Sequence, residues 1–152
     1  MTADRSYVAE NQAQLDRLQA VVDRLSDRDL AHPMDAGWTV AGVLAHLAFW
    51  DYRIVTLLDG WGPDGRGTRP PSISESSVDW VNDAGKPLCL ALPPREAARL
   101  AVAAAKAADQ RVAGLSDALM DANAAAGHPI SVRRAEHRRE HLDEIERALS
   151  RR

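Results

Sequence analysis

The chain has 152 residues, 45% of them hydrophobic and 27% charged, a balance that fits one globular domain over 1–152 and excludes a disordered chain. A formal charge of -3 provides no basic field for nucleic acid or for an anionic membrane surface, so neither partner is expected. Cys89 is the single cysteine and can form no intramolecular disulfide. The first residues lack the charged-then-apolar run of a signal peptide, and no stretch approaches the ~20 apolar residues of a membrane span, so a cytoplasmic protein is expected.

Taken in chain order, Tyr7, Leu15, Leu18, Val22 and Leu25 recur near helical spacing, with Glu10, Asp16, Arg17, Asp23 and Arg24 largely on the other side. This predicts a first helix over 2–25. After a polar stretch, Thr39 can cap a second helix that Gly60 can end. Residues 60–72 hold four glycines and three prolines and read as a loop over the bundle end. A short extra helix is expected over 73–83, stopped by Gly85 and Pro87. Pro93 and Pro94 open an alanine-rich helix over 93–115, and Pro129 opens a last helix that runs without breakers to the C-terminal end. No alternating strand pattern competes, so the fold class is all-α: a four-helix bundle, up-and-down with a crossover connection, plus the short extra helix.

The last helix carries His137 and His141, which at 100° per residue lie about 40° apart on one face and can bind one ion together. Leu142, Ile145 and Leu149 form its apolar arc, Glu136, Arg139, Asp143, Glu146 and Arg147 lie opposite, and the two histidines fall beside the apolar arc. In the second helix His46 sits in a flank of the apolar arc beside Phe49, Trp50 and Leu57, and it too is expected to point between helices. A histidine pair on a charged helix is most often solvated, and a lone histidine in an apolar stripe is most often a satisfied core residue. The combination says more than either part. Three neutral imidazoles supply three ligands at about 2.0–2.1 Å and leave coordination positions open, as a catalytic zinc, nickel or iron site requires.

Gly37-Trp38-Thr39-Val40, followed by His46-Leu47-Ala48-Phe49-Trp50-Asp51, resembles the second-helix signature of the DinB-like family of metal-dependent bundles. His137-Arg138-Arg139-Glu140-His141 through Ile145 resembles that family's last-helix motif. The resemblance implies a four-helix bundle, often a homodimer, in which His46, His137 and His141 bind a divalent metal at the floor of a pocket. Similar proteins include mycothiol- and bacillithiol-dependent S-transferases, self-resistance hydrolases, and the N-terminal domain of mycothiol-dependent maleylpyruvate isomerase. The isomerases carry a second domain after the bundle, whereas eleven residues follow His141 here, so that activity is not the one expected. The expectation is a thiol S-transferase or hydrolase acting on an electrophilic small molecule, with a low-molecular-weight thiol as a possible co-substrate. The alternative is a non-catalytic bundle that binds a metal or small ligand in resistance or scavenging.

Trp50, Trp80 and Asn82 are candidates for the pocket wall, although large aromatics in a small bundle are more often core. Asp51 and Glu140 are weighed as hydrogen-bond acceptors to the ligands or general bases and read instead as solvated surface. Cys89 has no neighbouring cysteine or histidine in sequence to activate it, and His32 and His128, each before a proline, are expected to be exposed and outside the site.

Overall fold

A computed structural model describes residues 2–151, which contain helices and no strand. The helices are α1 (Ser6–Arg24), α2 (Asp27–Leu30), α3 (Val40–Trp61), α4 (Glu75–Ala91), α5 (Pro94–Ala113), α6 (Asp117–Ala125) and α7 (Arg134–Ser150), with a single 3-10 turn at Asp35–Gly37. Four of them make the bundle. α1 lies against α5 and α7, and α3 lies against the same two, so α1 and α3 stand on one diagonal and both of the α1–α3 and α5–α7 connections cross the bundle.

The caps read from the sequence start the central helices. The Thr39 side chain accepts a hydrogen bond from the Gly42 amide at 3.0 Å, and Pro94 occupies the first turn of α5. α3 has the length and apolar character of a membrane span, but it is the core helix: Leu44, Leu47, Ile54 and Leu58 are all buried. They face α5, whose Ala97, Ala101, Ala104, Ala105 and Ala108 are fully enclosed. Small side chains on one helix let the larger ones of the other fill the interface without voids. α3 runs one residue past Gly60 and is closed by Gly62 at φ +76°, a left-handed cap that a side chain would strain. The loop then folds back, and the Gly67 and Thr68 amides bond the Trp61 and Gly60 carbonyls, each at 2.8 Å. A Cβ on Gly67 would meet the Gly60 carbonyl oxygen at 2.2 Å, so only glycine fits there.

The extra helix is longer than expected. α4 passes through Gly85 and Pro87 to Ala91, because the missing proline N–H would have served only the carbonyl of Asp83, an exposed residue that water can reach. α4 buries none of its residues fully and rests on α3. The last helix opens at Arg134 rather than Pro129. Asn123 clamps Ile130 by both backbone groups, donating to its carbonyl and accepting from its amide at 2.9 Å each, which holds that residue out of helical pairing. The stretch read as a link before it contains α6, started by a Ser116 side chain that accepts from the Leu119 amide.

Candidate metal centre

α3 and α7 lie side by side, and this is what joins histidines 91 residues apart in sequence. His137 and His141 occupy successive turns of α7, and His46 faces them from α3. The Nε2 atoms of His46 and His137 are 3.2 Å apart, those of His137 and His141 are 3.1 Å apart, and the ligating nitrogens of the three all lie within 4.8 Å of one another. Metal–nitrogen bonds of about 2.0–2.1 Å, at angles between square and tetrahedral, place neighbouring ligand atoms about 2.9–3.4 Å apart. Two of the three pairs have this spacing and the third lies within 4.8 Å, so the donor set can close on one divalent ion. His141 Nδ1 lies 2.8 Å from Glu144 Oε2; a proton on that nitrogen leaves the Nε2 lone pair turned towards the other two rings. Glu144 had no signature in the sequence beyond its spacing of three residues from His141.

Burial, followed by the charge of His141, lowers the pKa of His46 to about 4. Burial and the neighbouring His141 and His46 lower that of His137 further, to about 2. Both rings are thus kept in the neutral form that coordinates metals.

The cluster forms part of the wall of a cavity of about 940 Å³. The segment 32–40 folds over one end of α3, with Met34 and Trp38 paired through their backbones and the Val40 amide bonded to the His32 carbonyl. That fold brings Trp38 into the wall, its ring edge-on to His46 at 5.7 Å between centroids. His32, expected outside the site, is half-buried and lines the cavity, whereas His128 is exposed and lies elsewhere. Asn82 of α4 is in the wall, and its side-chain oxygen accepts from Trp50 Nε1 at 2.8 Å. Trp50 stands beside the cavity, edge-on to His46 at 6.5 Å. Trp80 does not join them: it is 62% exposed on the outer side of α4. Glu140 is exposed at the rim, as its wheel position implies.

Asp51 overturns the surface reading. It is buried, and its carboxylate accepts from Arg134 Nε at 2.8 Å and from Arg138 Nη2 at 3.3 Å. Arg138, at 1% exposure, also forms a two-pronged pair with Asp109 of α5, both contacts 3.0 Å, and donates to the Asn11 carbonyl of α1. One buried ionic network thereby ties all four bundle helices together, one residue along α7 from His137.

A helical bundle with a three-histidine cluster suited to a metal ion is the class that this geometry defines. The DinB superfamily sequence profile matches residues 10–145, and the chain belongs to that superfamily. No curated protein and no solved structure matches it.

Proposed function

We propose that this is a metal-dependent enzyme that transfers a thiol to an electrophilic small molecule or hydrolyses one. The observation that carries this reading is the open side of the cluster: three nitrogens converge at a cavity wall, and among the described residues no fourth histidine, cysteine or carboxylate completes the set. Structural zinc is normally closed by four protein ligands, whereas catalytic sites keep a free position. A divalent ion held by His46, His137 and His141 supplies Lewis acidity that lowers the pKa of a water or thiol beside it. The protein's own part is to keep His46 and His137 neutral, to orient His141 through Glu144, and to surround the reactants with Trp38, Val43 and Asn82. Zinc, nickel and iron all suit three imidazoles.

The second reading is a non-catalytic metal- or ligand-binding bundle. On its side stands the engagement of Asp51 with arginines and of Glu144 with His141, which leaves neither free as a general base. The deciding experiment starts with elemental analysis of protein purified without chelator, where about one ion per chain is expected. The loaded protein is then assayed for conjugating low-molecular-weight thiols to monobromobimane and for hydrolysing p-nitrophenyl acetate. Turnover that disappears in His137→Ala supports the enzyme; metal binding without turnover of either probe supports the alternative.

Cytoplasmic location and a homodimer belong to the same proposal. Phe49 and Tyr52 of α3 and Trp80 and Leu88 of α4 keep large apolar surfaces exposed, which a second copy would cover. Sedimentation at micromolar concentration is expected to give twice the chain mass, and a species of 16.6 kDa alone would remove the dimer.

A further inference from the structure

A second, smaller cavity of about 270 Å³ lies on the other side of Trp50, between α3, the loop before α4 and the segment that leads into α7. Its polar lining is of one kind. Arg53, Arg134, His128, Ser72 and Ser131 all contribute, and no carboxylate does. Arg53 makes no hydrogen bond or ion pair with any described residue; its guanidinium rests 5.5 Å from the centroid of the Trp50 ring. The Arg134 side chain is only 7% exposed, and of its nitrogens only Nε is used, by Asp51, so its terminal nitrogens have no described partner. The Ser72 and Ser131 hydroxyls are likewise unbonded to any described residue. Elsewhere in this chain guanidinium groups find acids readily, as Arg5, Arg17, Arg95, Arg99 and Arg133 do on the surface.

We infer that this cavity is an anion-binding site, separate from the histidine cluster, that takes the phosphate or carboxylate group of a small molecule between Arg53, Arg134 and the two serine hydroxyls. Two guanidinium groups beside each other repel; Asp51 answers Arg134 through Nε alone and no acid answers Arg53, so an oxyanion placed between them satisfies both. The electrostatics agree: burial, then Arg134, lowers the pKa of Arg53 from its ordinary value, the direction that an incoming anion reverses. Ile54, Ile73 and Pro129 supply apolar walls for the body of the ligand. Nearby, His128 adopts φ +58°, unusual for a residue with a side chain, and the adjoining Gly127 has φ +81°. Backbone held in this region commonly marks a binding segment.

Calorimetric titration of the full chain with inorganic phosphate, and separately with acetate, at ionic strength held constant with chloride, tests the site. Saturable binding of at least one anion is expected, weakened tenfold or more in Arg53→Gln and in Ser131→Asp, and unchanged in Arg99→Gln, which alters an exposed arginine far from the cavity. Stronger binding of phosphate assigns the site to phosphate esters, and stronger binding of acetate assigns it to carboxylates. Binding must also survive His137→Ala, since Trp50 separates the two sites. Absence of saturable binding of both anions, retention of full affinity in folded Arg53→Gln and Ser131→Asp, or loss of binding in folded His137→Ala would each overturn the inference; the last outcome would place the anion at the histidine cluster.

Discussion

Two polar clusters sit side by side on α7, and they are built on opposite rules. Arg138 is enclosed among Asp51, Asp109 and the Asn11 carbonyl, so the Asp51–Arg138–Asp109 network meets its charges from within the chain. His137 and His141 turn nitrogens towards His46 and towards one another, and no acid stands between them. A network of paired charges spends its interactions on holding helices, whereas converging lone pairs suit a guest cation. Adjacent residues of one helix, His137 and Arg138, thus serve different ends: Arg138 fixes where α7 lies, and His137 uses that position.

The sharpest way to break this contrast is to remove one member of each cluster. Asp51→Ala leaves Arg134 and part of Arg138 without their acid in the core and is expected to cost about 3–5 kcal/mol, the usual penalty for an unpaired buried charge. Urea unfolding of the metal-free protein measures it, and a loss below about 1 kcal/mol would mean that the network is not what joins the helices. His137→Ala is expected to abolish metal binding while leaving helical circular dichroism and oligomeric state intact. Its stability cost is then the lost linkage term, roughly 2.7 kcal/mol where the metal stands at 100 times its dissociation constant. Outright unfolding of that variant, or of the chelated wild type, would recast the ion as a structural staple.

The pH response separates the clusters next. For His46 and His137 the folded-state pKa lies below the ordinary value of 6.5, so the unfolded chain takes up protons first as the solution is acidified. Stability from these groups is complete above about pH 6.5 and is lost as pH falls towards the folded values. His46 alone, at about 4, is expected to cost the metal-free protein on the order of 2 kcal/mol between pH 8 and pH 5. Denaturation at the two pH values in wild type and in His46→Ala checks this, and equal losses in both would remove the histidine from the account. The smallest effect belongs to Glu144→Gln, which keeps the shape but weakens the orientation of His141. Metal affinity should fall about 10–100-fold with no change in metal-free stability, as competition with a chelating dye would show.

The histidine cluster was legible because each part of it obeys local periodicity. His137 and His141 share a face by their spacing, and His46 is placed by the apolar residues of α3. The arginine network was not legible, since the partners of Arg138 lie 87 and 29 residues away and a charged residue on a charged helix reads as solvated until its acids are found. The Asp51 surface reading failed for the same reason. Helix ends show the same division: Thr39 and Pro94 announce theirs by local chemistry, while the start of α7 depends on a clamp from Asn123 that no local propensity encodes. Pro87 misled in the opposite way, because its cost depends on whether solvent can serve the orphaned carbonyl. His32 enters the site through tertiary placement alone, while Glu144 reaches His141 by a local spacing of three residues that many solvated pairs share.

α4 buries no residue fully and carries a proline within it, yet it supplies Val78, Asn82 and Asp83 to the wall of the main cavity. Such a helix has little apolar burial to lose, so detaching it costs far less than unfolding the bundle. Its amides are expected to exchange with deuterium sooner than those of α3 and α5, at a rate set by local release rather than global unfolding. The wall that α4 supplies is then the least firmly moored part of the cavity, and the histidine side can stay rigid while that wall moves.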